Sequence, residues 1–176
     1  MTAPTAFNLV VRALYLQEGQ LLVSRWRGSY GFPVGGRVEM GETLEMALLR
    51  EFREETGGEA VIRRWVYFHE SFYRKARSGE VHELGWYFWV EADRPIGRPG
   101  QRLPHPDSDR LDLEYVPLDR MRGLNIVPGF LADALPSDLA SSFAAAPRHW
   151  ISHSTDAGED RTEEVLWPTN GPARPR

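Results

Sequence analysis

The chain has 176 residues, which suffices for one domain with a sizeable core and a short appendage and is too few for two ordinary domains. Hydrophobic residues at 41% and charged residues at 26% are those of a soluble globular protein, and the formal net charge of -4 argues against binding of long nucleic acids through a basic surface. Cysteine is absent, which excludes disulfides, thiolate metal sites and a cysteine nucleophile. No apolar run is long enough to span a membrane, and residues 1–16 lack the basic start and cleavage site of a secretory leader, so a cytoplasmic location is expected.

Residues 7–17 (FNLVVRALYLQ) and 20–26 (QLLVSRW) are β-prone runs separated by Glu18-Gly19, and they predict a hairpin. Residues 27–41 follow, with five glycines and one proline in fifteen positions, a composition that lets backbone approach a ligand closely. A helix is expected over 43–56, with Thr43 as N-cap and Gly57-Gly58 as its stop. Residues 60–73 and 81–92 predict a second hairpin turning at Ser78-Gly79. Residues 93–112, with four prolines, predict a long loop, 113–118 a short strand, and 128–135 and 136–146 two short helices each opened by proline. Residues 152–176 are expected to be a poorly ordered tail, with Val165, Leu166 and Trp167 as a possible docking point, which sets the domain at 1–151.

The central helix carries the chemistry. At about 100° per residue, Leu44, Ala47, Leu48 and Phe52 form its core-facing stripe, and Glu51 and Glu55 fall on that same stripe. A glutamate-rich helix is ordinarily a solvated face, and Arg53, opposite Leu44, suits that view. Glu51 and Glu55 do not, because a carboxylate on the buried side must be paired, protonated or bound to a cation. One turn apart, with Glu54 beside them, they are spaced for one or two hard divalent ions.

Gly36, Glu42, Arg50, Glu51, Phe52, Glu54, Glu55 and Gly57 stand at the spacing Gly, five residues, Glu, seven residues, Arg-Glu-hydrophobic-any-Glu-Glu-any-Gly. This resembles the Nudix box, and the chain is similar to the Nudix hydrolase family over roughly residues 7–135. Two positions depart from the usual pattern: Gly58 replaces an aliphatic residue, and Pro33-Val34-Gly35-Gly36 is one residue longer than Pro-Gly-Gly. The resemblance implies an α/β/α sandwich around a mixed β-sheet and hydrolysis of the diphosphate bond in a nucleoside diphosphate linked to another moiety, with Mg2+ or Mn2+ as cofactor. It implies Glu51 and Glu55 as principal metal ligands, Glu54 as a further ligand or a residue just behind the ligands, the Gly35 carbonyl as a backbone ligand, Arg50 as orienter of the glutamates, and Glu42 as a tie between loop and helix. Glu51 as general base stays open beside its ligand role.

Further candidates are weaker. Asp109 or Asp112 could add an acidic ligand, though acidic loop residues are mostly solvated. Glu70, His82 and Glu83 could face substrate from the second hairpin, and Arg25, Arg27 and Arg37 could grip phosphate oxygens. Trp86, Tyr87, Phe88 and Trp89 are read as core, not as a base-stacking platform. A Nudix-fold domain that binds a nucleotide without turnover is the competing function, and an RNA-cap substrate is disfavoured by the acidic balance. The oligomeric state is left open, a homodimer included.

Overall fold

A computed structural model describes residues 6–75, 79–154 and 160–166. Its elements are β1 (Ala6–Gln17), β2 (Gln20–Trp26), β3 (Gly31–Pro33), α1 (Leu44–Thr56), β4 (Ala60–Lys75), β5 (Gly79–Ala92), β6 (Leu103–Pro104), β7 (Leu111–Pro117), a 3-10 turn (Leu118–Arg120), α2 (Phe130–Ala140), β8 (Arg148–Ser154) and β9 (Asp160–Val165).

The strands form one mixed sheet in the order β6-β7-β2-β1-β5-β4-β8-β9, with β3 on β2. Alternation along β1 explains the layers, since successive side chains point to opposite faces. Val11, Ala13 and Tyr15 pack with Ala47, Leu48 and Phe52 of α1. Leu14 joins the second core with Phe130, Leu131, Ala134 and Leu135 of α2. The result is the expected α/β/α sandwich. None of the helices is long and apolar enough to cross a membrane, among the described residues.

Four local expectations are revised. The first hairpin is joined only at Leu16↔Leu21 and Gln17↔Gln20, after which β1 turns to a parallel partner, β5, and β2 to β7 and β3. The gap between β1 and β2 is filled by the glycine-rich loop described below. The two proline-opened helices are one helix running through Pro136. Its lost hydrogen bond and ring clash cost about 3 kcal/mol, less than burying Phe130, Leu131 and Leu135 returns at roughly 1.5–3 kcal/mol each. Residues 103–104, within the long loop, pair with β7.

The stretch expected to be loose from residue 152 onward contributes Ser152 to Ser154 of β8 and all of β9, which pair antiparallel from His149↔Val165 to Ser154↔Asp160. Arg148 anchors this hairpin: it donates to both Glu164 oxygens at 2.7 Å and to Asp138 of α2 at 2.6 Å. Val165 is thus docked, Leu166 is exposed, and Trp167 and the turn residue Ser78 lie outside the described residues.

His69 of β4 is buried beneath α2, with its Nε2 2.7 Å from Ser152 Oγ. Burial, and then the neighbouring His149, pulls its pKa from 6.5 down to about 3. The unfolded chain therefore binds a proton below pH 6.5 that the fold refuses, so stability declines as pH falls from 6.5 toward 3, by at most ~1.4 kcal/mol per unit for this group. His69→Gln is expected to flatten that part of the slope in urea unfolding at pH 7 and pH 5, and equal slopes for parent and variant would refute the assignment.

Candidate active site

After β3 the chain passes through the gap beside β1. Val34 accepts from Ala13 N–H at 2.7 Å, Gly36 from Val11 N–H at 2.9 Å, and Leu9 from Val38 N–H at 3.0 Å. Gly35 has φ +135°, and a Cβ there would stand 2.2 Å from the Val11 carbonyl oxygen. A Cβ on Gly36 would stand 2.3 Å from Glu51 Oε1. Both glycines are therefore demanded: one lets the loop lie on β1, the other lets a helix carboxylate touch the loop.

α1 begins at Thr43, whose hydroxyl accepts from Met46 N–H, and ends at Gly57 in the left-handed region. Its buried stripe is Ala47, Leu48, Phe52 and Glu55. Glu55 is buried. Its Oε2 accepts from Gly35 N–H at 3.1 Å and from the Ser24 hydroxyl at 3.2 Å, while Oε1 faces His105 Nε2 at 3.2 Å. Glu51, one turn earlier, is half-buried; desolvation pushes its pKa up, Arg50 opposes that shift, and the Glu55 and Glu54 charges add to it. Glu54 is more open.

Arg50 is the hub of the group. It donates to both Glu42 oxygens at 2.7 and 2.9 Å, to Glu51 at 2.9 Å, to Glu54 at 3.1 Å and to the Arg37 carbonyl at 3.0 Å. Glu42 also accepts from Glu39 N–H at 3.0 Å, tying loop to helix, and the Arg50 hydrogen bond pulls its pKa down to about 2. One guanidinium cannot balance four carboxylates, so the cluster retains excess negative charge.

The other expected residues sort into distinct places. Arg25 is paired with Glu114 and donates to the Ser29 and Leu124 carbonyls at 3.0 and 2.9 Å. Arg27 grips Asp112 at 2.9 and 3.1 Å, which pulls the Asp112 pKa down. Both arginines thus brace β2 against β7, and Arg25 also holds the Ser29 carbonyl of the segment after β2. Asp109 is exposed, and Arg37 is the loop arginine left on the surface.

His82 and Glu83, adjacent on β5, point to opposite faces. His82 joins Glu70 at 3.7 Å on the α1 side, stacks on Phe72, and shares Glu70 with His149 at 2.8 Å. Glu83 accepts from Asn8 at 3.3 Å and Tyr73 at 3.0 Å on the α2 side. No hydrogen bond or ion pair joins either group to Glu51, Glu54 or Glu55 among the described residues. Tyr87 and Phe88 are buried, with Trp86 and Trp89 packed against the two cores.

Sequence reasoning missed three neighbours of the cluster. Arg12 of β1 donates to the Gly35 carbonyl, Ser24 of β2 to Glu55, and His105 lies just past β6. Arg12 and Ser24 sat in runs read only as strand. His105 stood in an aperiodic loop, with Pro104 and Pro106 on either side as its sole cue.

The unusual Gly58 also finds its reason. Ile96 Cδ1, from the loop after β5, lies 2.5 Å from where a Cβ on Gly58 would be, so Ile96 fills the volume an aliphatic residue would take. Gly58→Val is expected to cost about 1–3 kcal/mol and to cost much less in an Ile96→Ala background. Denaturant unfolding of the four proteins gives the coupling, and additive losses would contradict the contact.

The donor set suits a hard divalent cation: carboxylate oxygens of Glu51, Glu54 and Glu55 and a backbone carbonyl at Gly35. The desolvated Glu51, placed against a backbone that would not admit a Cβ, matches that use. Among the described residues no group of three or more acidic or histidine side chains stands arranged to hold a metal ion.

The fold has relatives. A mutator MutT protein from Bacillus halodurans superposes with a TM-score of 0.62 at 16% identity, covering 92% of this chain and 99% of that one. A NUDIX hydrolase from Nitrosomonas europaea gives 0.58 at 16% identity, covering 84% and 79%. A CTP pyrophosphohydrolase from Escherichia coli (strain K12) is 32% identical over 44% of this chain, and the match spans 59% of that relative's length. The NUDIX domain family is matched across residues 6–134. The chain belongs to the Nudix family.

Proposed function

We propose that the protein is a divalent-metal-dependent hydrolase of the diphosphate bond in nucleoside diphosphate derivatives, small molecules rather than long nucleic acids. The observation that carries the reading is the pair Glu51 and Glu55, one turn apart, both carboxylates held against the Gly35–Gly36 backbone. Carboxylates brought this close at a glycine turn raise one another's energy unless a cation completes them.

Glu51, Glu55, Glu54 and the Gly35 carbonyl would hold Mg2+ or Mn2+, which when bound neutralises diphosphate charge and lowers the pKa of water. The remaining work falls to the chain. Arg50 fixes Glu51 and Glu54 in one arrangement, and Glu42 fixes Arg50. Glu51, whose burial raises its pKa, is the proton acceptor in this reading. Gly35 N–H serves Glu55, and its carbonyl, which accepts from Arg12, would be shared between that guanidinium and the cation. Arg12, at the α2 side with Asn8 and Glu83, is placed to meet an anionic substrate leaving the glutamates, and exposed Arg37 to meet it at the loop. A cytoplasmic location fits the absence of cysteine.

The relative named for CTP makes a pyrimidine nucleoside triphosphate the first substrate to try. The test is a panel of CTP, other nucleoside triphosphates, ADP-ribose, UDP-sugars and dinucleoside polyphosphates with Mg2+, following phosphate or nucleotide release. Metal-dependent cleavage of at least one member supports the proposal. Tight nucleotide binding with no turnover across the panel would replace it with the nucleotide-sensing reading.

A further inference from the structure

We infer that His105 is a positioning residue for Glu55, a fixed donor from the loop before β7 that holds Glu55 Oε1 in the orientation the divalent ion requires. The inference rests on the reading of Glu55 as a metal ligand and adds a residue outside the box to that site.

Three donors surround the Glu55 carboxylate, each from a different part of the chain: Ser24 in β2, the Gly35 N–H in the loop beside β1, and His105. The first two act on Oε2. Only His105 approaches Oε1, at 3.2 Å, so with the two donors on Oε2 it fixes the carboxylate at both oxygens. The His105 side chain is 2% exposed and its Nε2 makes no aligned hydrogen bond to any described residue, which leaves a buried ring nitrogen aimed into the site. Leaving such a group without a well-aligned partner is costly unless the site uses it.

The tautomer decides what it can do. Asp107 N–H donates to His105 Nδ1 at 3.2 Å, so Nδ1 is the acceptor and the hydrogen of the neutral ring resides on Nε2. In that state Nε2 has no lone pair toward the site. It cannot take a proton from water there; it can only donate to Glu55. Pro104 and Pro106 restrict the backbone on both sides of the ring and limit its withdrawal. A ligating carboxylate oxygen has a lone pair for the ion and another for such a donor, and partners of this kind typically set 10–100-fold in metal affinity.

The test uses the full chain and Mn2+ alone, with binding followed by the loss of the free-ion paramagnetic resonance signal, for the parent, His105→Ala, His105→Gln and Glu55→Gln. His105→Ala is expected to weaken Mn2+ binding by roughly 10–100-fold. His105→Gln, whose amide can still donate, is expected to recover most of it, and it carries the test if the Ala variant fails to fold. A purely structural role would lower melting temperature without separating Gln from Ala in Mn2+ affinity. Parent-like affinity in His105→Ala, or equal loss in Ala and Gln, overturns the inference while leaving the site intact. Unchanged Mn2+ affinity in Glu55→Gln overturns the reading of the site itself.

Discussion

Glu55→Gln is expected to lower turnover by more than about 100-fold, since even partners one step removed from a metal ligand cost 10–100-fold. The variant keeps the size of the side chain and an acceptor for Gly35 N–H and Ser24, but its NH2 then meets the His105 Nε2–H, so a loss of stability is expected beside the loss of charge. What it removes is the charge. A neutral amide binds a hard dication far less well than a carboxylate does, and it leaves Glu51 and Glu54 without the third member of their set. Steady-state kinetics on whichever panel compound the parent cleaves, beside a melting curve, separates the two effects. A rate equal to the parent's would mean that Glu55 serves only the fold.

The second large effect is structural. Gly35→Ala combines two penalties: a residue other than glycine at φ +135°, about 1–3 kcal/mol, and a Cβ pressed against backbone at Val11, about another 1–3 kcal/mol. Backbone cannot swing aside as a side-chain end can, so the loop must leave β1 and take with it the N–H that holds Glu55. Gly19→Ala is the matched control, with positive φ but open space around it. At roughly 2–4 °C per kcal/mol for a chain of this size, Gly35→Ala is expected to melt about 4–24 °C below the parent, well below Gly19→Ala. Activity should fall with it. Equal melting temperatures for the two variants would refute the close approach at Gly35.

The parts of the molecule legible in its sequence are those governed by local rules. The helix with its cap at Thr43 and stop at Gly57 was readable because propensity, periodicity and capping agree there. The glutamates stood out because their position on the wheel contradicts their charge. What could not be read depends on partners far along the chain. β1 leaves β2 after two pairs because the glycine loop takes its place, a choice made by residues about twenty positions away. The hairpin of β8 and β9 is held by Arg148 reaching Asp138 and Glu164, ion pairs that no hydrophobic pattern announces. Arg25 and Arg27 looked available for phosphate because Glu114 and Asp112 are nearly ninety residues from them in sequence. His105 was invisible for the same reason, since its meaning comes entirely from Glu55.

The most direct measurement is anomalous diffraction from crystals of the protein soaked in Mn2+. The account predicts a peak bounded by the Glu51 and Glu55 carboxylates next to the Gly35 carbonyl. Strong anomalous density only elsewhere, for instance among Glu70, His82 and His149, with none at those glutamates, would contradict it.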